Sequence, residues 1–417
     1  LEIGISGPKQ RGLPPGRTAP RRRPGRRTPR PGPPPRPQKT ILVLTHELSR
    51  TGAPIVLLNW LVWLRRHTDF ALRIIRLWNH DDLLPEFAAL GPVCSYYDDI
   101  AAPGLSRSQH EAALADFCGG PVSFVFGNTA FCAEMYDLAA SLGAPIVTNI
   151  HELQSVLCQG VGAERLGAMY RHTDHYVAGS PAVAQNLIAN HPIPAARVDM
   201  VHESIIPTVR EAELAAKDAL RRRLDIPEEA VVVLGCGTIE ARKGADIFIE
   251  VAARVRRRLG RQVLFYWVGA PSAGHPMDTD ALVAAHGVAG GVVFTGQTPT
   301  PRDYFLAGDL FLLPSREDCV SLVGLEACEC GLPVVCFEGA GDLPAFVRPE
   351  AGEAVAYGDV AAMVDSVAGL AADAPRRKAL GRAARKKLLA SHVTDRAAPF
   401  LLESCLSALR RWPGRAG

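Results

Sequence analysis

Asp318 and Glu326 stand eight positions apart in "SREDCVSLVGLEACECGLPVV", residues 315–335, a run otherwise made largely of small and apolar residues. The preceding "DLFLLPS" is a short apolar run stopped by Pro and Ser, which predicts a buried strand. Ser321 predicts a helix N-cap, and Gly331 followed by Leu332 and Pro333 predicts the stop. Asp318 then lies in the strand-to-helix loop and Glu326 about one turn into the helix. That is the crevice where open α/β sheets bind ligands. Taken singly, either acid is equally explained by turn capping or by pairing with a neighbouring base.

Other residues join them. "SRTGAP", residues 49–54, follows the first apolar run and opens a helix; Gly52 lets backbone amides approach a phosphate there. It is not a G-x-G-x-x-G, and a plain tight turn explains it as well. "CGTIEARKGADIFIEV", residues 236–251, repeats the arrangement in the second half, with Arg242 and Lys243 just ahead of a helix. Lysine is a compact point charge suited to a phosphate, although Lys-Gly at a helix start is commonly a solvated loop. "TNIHEL" ends a strand with His151 and Glu152, and His46 and Glu47 occupy the same kind of place after the first strand. These four are candidates for contacting an acceptor or serving as a base, His151 foremost as the catalytic one. A strand-end His is otherwise a satisfied structural group. Asn128 and Thr129 in "VFGNT" are read as cleft lining on a third strand end.

The elements that must hold these residues alternate along the chain. "ILVLTHE", "VSFVFGNT", "PIVTNIHE", "HYVAGS" and "VDMVHE" form one series of strand-like runs, and "VVVLGCGTIE", "VLFYWVGAP", "GVVFTGQ", "DLFLLPS" and "PVVCFEG" a second. Short apolar strands between helical patterns predict parallel sheets covered on both faces. The chain is therefore expected to be α/β, with two Rossmann-like doubly wound domains at 39–208 and 209–394. Residues 395–417, including "RAAPFLLESCLSAL", should form a C-terminal crossover helix and tail packing back on the first domain. A length of 417 residues fits two cores better than one.

The net charge of +3 is uneven: residues 1–38 carry nine Arg and Lys9 against Glu2, so the remainder is net acidic. The same segment holds 11 of the 33 prolines and is expected to be a disordered Arg/Pro-rich tail. Its composition and its opening on Leu1 also suit translated upstream sequence, and it is given no function. It lacks the apolar centre of a signal peptide, and no run of 18 apolar residues exists, so a cytoplasmic protein is expected. Nucleic acid is not an expected partner. Ten scattered cysteines without C-x-x-C read as buried reduced thiols, and no metal site is expected. "NWLVWLRRH", residues 59–67, joins Trp60 and Trp63 to a basic end. Core packing is the expected role of both Trp, and peripheral membrane contact the alternative.

From about residue 40 to 395 the chain resembles the retaining, nucleotide-sugar-dependent glycosyltransferases of family four, which have the GT-B fold. The resemblance is carried by "RTGAP", "NIHEL", "GCGTIEARKG", "VVFTGQ" and above all "PSREDCVSLVGLEACECGLPVV", which resembles the E-x7-E segment. It implies that Glu326 binds the ribose hydroxyls, and that Asp318 with the backbone at Cys319, Val320 and Ser321 holds the donor sugar. Lys243 and the amides of the Gly52 loop would then meet charge on the leaving diphosphate. The donor co-substrate is a nucleoside-diphosphate sugar, no other cofactor is implied, and the acceptor is a glycan, a lipid-linked sugar or a small molecule. Two positions depart from the pattern. Thr238 stands where the family has Arg, with Arg242 as the nearby replacement, and the first acid is Asp318 rather than Glu.

The expected activity is sugar transfer to an acceptor hydroxyl with retention, in glycan or glycoconjugate synthesis. The alternative is a silent nucleotide-sugar-binding protein of the same fold. A Rossmann dehydrogenase ranks last, because no dinucleotide fingerprint follows either opening strand.

Overall fold

The computed structural model describes residues 39–271 and 277–413, and the Arg/Pro-rich stretch 1–38 with its expected disorder lies outside them. The first sheet is built from β1 (Thr40–Thr45), β2 (Ala71–Arg76), β3 (Val93–Ser95), β4 (Val122–Asn128), β5 (Ile146–Ile150), β6 (His175–Ala178) and β7 (Val198–Met200). Its strand order is β3-β2-β1-β4-β5-β6-β7. The second sheet holds β8 (Val231–Cys236), β9 (Val263–Val268), β10 (Val292–Phe294), β11 (Leu310–Leu313), β12 (Val334–Phe337) and β13 (Gly352–Val355). They are ordered β10-β9-β8-β11-β12-β13. Strand pairs in both sheets are parallel. The expected two Rossmann-like sheets are therefore present, and the expected 208/209 boundary falls between β7 and β8. The sequence runs did not single out β2, β3 or β13. Arg73 and Arg76 interrupt the apolar pattern of β2, and the other two are three and four residues long.

The helices of eight residues or more are α1 (Gly52–His67), α2 (Arg107–Cys118), α3 (Ala163–His172), α4 (Pro181–Asn190), α5 (Ala245–Leu259), α6 (Leu322–Glu329), α7 (Val360–Ala372), α8 (Ala374–Ser391) and α9 (Thr394–Arg411). Leu57, Trp60, Leu61 and Leu64 on one stripe of α1 pack in the same core as Ala398, Leu401, Cys405 and Ala408 of α9. Each large apolar side chain buried this way contributes about 1.5–3 kcal/mol. That contact seats the last helix on the first domain. Trp60 is buried with its ring 4.3 Å from that of Phe126, whereas Trp63 is half-buried and stacks on His67. Among the described residues no helix is long and apolar enough to cross a membrane. The ten thiols are free; seven are buried, but Cys94 and Cys236 are half-buried and Cys158 is exposed, a correction to the uniform burial expected.

In both sheets the strand order reverses beside the first strand, between β1 and β4 and between β8 and β11, and ligands bind at such switch points. The strand-end loops of the two sheets meet. A Cβ at Gly52 would lie 3.7 Å from Leu322 of α6, and the amide of Ala182 in α4 donates to Asp342 at 2.9 Å. Gly244, at the start of α5, has φ of 74°, and a Cβ there would lie 2.1 Å from the Pro314 carbonyl oxygen. Only glycine lets the loops after β8 and β11 approach so closely. Gly244→Ala is expected to lower stability by about 1–3 kcal/mol in denaturant unfolding. An unchanged midpoint would contradict this packing.

Candidate active site

The donor half is assembled from the loops after β8 and β11. Lys243 donates from Nζ to Asp318 Oδ2 at 2.7 Å, and Ser315 Oγ donates to the same oxygen at 3.4 Å. Two residues 75 positions apart thus form one ion pair with both side chains largely shielded. Such pairs add little to stability, because desolvation offsets attraction, so their location matters more than their strength. Arg242 reaches Glu240 Oε1 at 2.6 Å and the Glu317 carbonyl at 3.1 Å, so it is committed to bracing the loop before Asp318. Thr238 lies exposed at the rim.

The Asp318 loop is clamped from one side. Its amide donates to Ala340 O at 2.6 Å, and Cys319 O accepts from the Asp342 amide at 2.9 Å. The amides of Cys319, Val320 and Ser321 donate to no acceptor among the described residues. Ser321 Oγ, at the N-cap position of α6, is buried without a partner, so the expected cap position is correct but its side chain does not cap. Unsatisfied amides at a helix start form an anion site. One turn further, Glu326 accepts no hydrogen bond from the described residues. Burial, and then the nearby Glu329 carboxylate, push its carboxyl up to about 7. Glu329 acts on the backbone instead, where its Oε1 accepts from the amides of Thr208 and Val209 and ties the interdomain segment to α6.

The acceptor half lies at the ends of β1, β4 and β5. His151 pairs through Nδ1 with Glu203 Oε1 at 2.8 Å, and its Nε2 lies 2.9 Å from both Asn128 Oδ1 and Asn149 Nδ2. Asn128 Nδ2 donates to Ala53 O at 3.0 Å, which turns Oδ1 toward the ring. Burial works to lower the His151 pKa, but Glu203 outweighs it and the net shift is upward. With Nδ1–H on Glu203, Nε2 either accepts from Asn149 or, once protonated, donates to Asn128. Glu152 is buried and accepts from the amides of His151 and Ala130, and burial raises its carboxyl. His46 contacts Thr129 Oγ1 at 3.3 Å; burial lowers it to about 4, so it is neutral near pH 7. Glu47 accepts from Ser49 and Thr51 and so orders the loop leading to Gly52. Thr129 holds φ of 103°, a strained value for a non-glycine residue.

The structure thus brings Lys243 to Asp318, Gly52 to the start of α6, and Asn128 to His151. Sequence reading missed Glu203, although a signal existed: His-Glu recurs after β1, β5 and β7 as His46-Glu47, His151-Glu152 and His202-Glu203. It also missed three contacts across the crevice. Ser155 Oγ donates to Glu317, and Cys319 Sγ lies 3.4 Å from Ser180 Oγ and 3.6 Å from Glu203 Oε1. Among the described residues no group of three His, Cys, Asp or Glu is placed to hold a metal ion.

Two parallel sheets with crevice-facing strand ends are the arrangement of the GT-B fold, and the lysine–acid pair lies beside unpartnered amides in that crevice. Residues 230–373 match the model of the family described as glycosyl transferases group 1. A D-inositol 3-phosphate glycosyltransferase of Catenulispora acidiphila is 29% identical over 297 residues, 67% of this chain and 70% of that protein. One from Salinispora tropica is 31% identical over 273 residues, 58% of this chain and 55% of that protein, so the match spans about half of its length. Anabaena HepE in complex with UDP and glucose superposes with a TM-score of 0.74 over 89% of this chain and all of that one, at 17% identity. Sucrose-phosphate synthase from Thermosynechococcus elongatus gives 0.71 over 90% of this chain and all of that one, also at 17%.

The raised Glu326 carboxyl sets a pH dependence. Between its ordinary value of 4.5 and about 7 the native chain keeps a proton that the unfolded chain has lost. Stability from this group therefore falls as pH rises through that window. In thermal unfolding, Glu326→Gln should gain on the wild type between about pH 5 and about pH 8. A constant difference would contradict the environment described.

Proposed function

We propose that the protein moves a hexosyl group from a nucleoside-diphosphate sugar to an acceptor hydroxyl with retention at the anomeric carbon. The observation that carries this reading is the Lys243–Asp318 pair beside the unpartnered amides of Cys319, Val320 and Ser321, with Glu326 one turn behind. The amides, Ser321 Oγ and Lys243 suit the diphosphate, Glu326 suits the ribose hydroxyls, and Asp318 suits the donor sugar. Lys243 would exchange its contact with Asp318 for the phosphate, freeing the acid for sugar hydroxyls. The anomeric carbon–phosphate oxygen bond breaks as the bond to the acceptor oxygen forms on the same face. The acceptor proton passes to the leaving phosphate oxygen, so neither a protein nucleophile nor a metal ion enters the scheme.

His151 has both ring nitrogens engaged by protein groups, so in this reading it is a fixed polar contact at the crevice. Closure of the two strand edges excludes water from the donor. UDP is the first nucleotide to test, since UDP accompanies HepE, and inositol 3-phosphate is an acceptor to test because the curated relatives are named for it. A cytoplasmic location, with peripheral membrane contact through α1 if the acceptor is lipid-linked, goes with this reading. A silent binding protein is not favoured, because Lys243 and both acids are in place despite Thr238 and the shorter Asp318.

Calorimetry with UDP, GDP, dTDP and ADP should show selective binding of one nucleotide. Glu326→Ala should weaken it about 10- to 100-fold, as expected for hydrogen bonds to a charged group. Lys243→Ala should lower kcat by about 10²- to 10³-fold. Proton NMR of the first-formed product should show the donor's anomeric configuration. Binding of none of the four nucleotides, or an unaffected Glu326→Ala variant, would remove the proposed donor site.

A further inference from the structure

Two carboxylates flank the Asp318 loop and are spent on the other domain. Glu317 precedes Asp318 in the loop after β11, and Asp342 lies in the loop after β12 that clamps it. Glu317 accepts from Ser155 Oγ through Oε1 and from the Ser155 amide through Oε2 at 3.5 Å. Asp342 Oδ2 accepts from the Ala182 amide, in the first turn of α4, at 2.9 Å. Cys319 Sγ, 3.4 Å from Ser180 Oγ, adds a third contact to the start of α4.

The main chain of the same residues is held within the second domain. Glu317 O accepts from Arg242 at 3.1 Å, the Asp318 amide donates to Ala340 O at 2.6 Å, and the Asp342 amide donates to Cys319 O at 2.9 Å. A Cβ on Gly341, whose φ is 153°, would lie 1.6 Å from Asp318 O, so the two loops meet backbone to backbone. Side chains therefore tie to one domain the loops whose main chain belongs to the other, and Asp318 sits between the two ties. Parting of the domains breaks both, and the loop is then held from one side. Each tie joins a carboxylate to a neutral donor, one of them an amide at a helix start, where negative charge is favoured. Such bonds exchange with water at small net free energy, so they bias the closed arrangement without locking it.

We propose that Glu317 and Asp342 are positioning residues that make the placement of Asp318 conditional on closure of the first domain over the donor. This rests on the transferase reading for the role of Asp318, and it makes Ser155 and the start of α4 closure contacts. Lys243, Glu326 and the α6 amides all belong to the second domain, so nucleotide binding does not require the ties. Transfer does.

Hydrogen exchange on the full chain tests the coupling without turnover. Glu317→Ala removes the tie at Ser155, yet through shared closure it should speed exchange of the Ala182 amide, at the other tie, by about threefold to tenfold. Ser155→Ala, which leaves the donor loop's own sequence intact, should act the same way, and Asp342→Ala should expose this amide more strongly. In kinetics, Glu317→Ala and Asp342→Ala should each lower kcat about tenfold while the dissociation constant for UDP changes less than about threefold. Glu317→Gln and Asp342→Asn keep an acceptor oxygen and should recover most of the loss. Exchange at Ala182 unmoved by Glu317→Ala and Ser155→Ala would overturn the proposal. So would a loss of UDP affinity equal to the loss of kcat, or Gln and Asn variants as impaired as the Ala ones. A wild type that neither binds UDP nor transfers would instead remove the donor-site reading, while exchange at Ala182 still decides whether the two ties act together.

Discussion

The ion pair between Lys243 and Asp318 joins the loop after β8 to the loop after β11 at the switch point of the second sheet. Much of the surrounding backbone is shaped to make that contact. Gly244 turns left-handed so that the Pro314 carbonyl can approach, and Gly341 allows the 340–342 turn to clamp Asp318. Arg242 braces the carbonyl of Glu317 from the other side. With the loop so held, the first amides of α6 are left without protein partners. A lysine, an acid and a set of free amides converge because two parallel strands are neighbours, not because their residues are close in sequence.

The first domain repeats the logic with different chemistry. Asn128 is oriented by Ala53 O, His151 is held between Asn128 and Glu203, and Glu203 in turn lies against Cys319 of the second domain. A chain of polar contacts therefore runs from the loop at the start of α1, across the ends of β4 and β5, to the residue after Asp318. Low surrounding dielectric makes each member of such a chain costly to leave unpaired. That gives Glu203 a structural reason to be buried despite its charge.

The alternation of apolar runs was enough to predict two parallel sheets, because buried parallel strands must be almost wholly apolar. β2 escaped because its two arginines sit at strand positions that open to solvent or to the Phe117 carbonyl. Asp318, Glu326 and Lys243 were legible from their place relative to strand ends and glycines, and the family resemblance supplied their expected roles. The pairing of Lys243 with Asp318 was not legible, since it joins residues 75 positions apart. The Glu203–His151 pair and the Ser155–Glu317 contact share that property: each depends on which strands become neighbours. His46 and Glu47 were read as acceptor contacts, and the structure shows them as a neutral ring packed between Trp78 and Phe131 and as the acid that orders the Gly52 loop.

The central claim is that one nucleotide site is built from three separated segments. Amide hydrogen exchange with and without saturating UDP measures this directly. Protection should rise together in 49–54, 236–244 and 315–327, with the largest change at the start of α6. Protection confined to one segment, or appearing away from all three, would contradict the account.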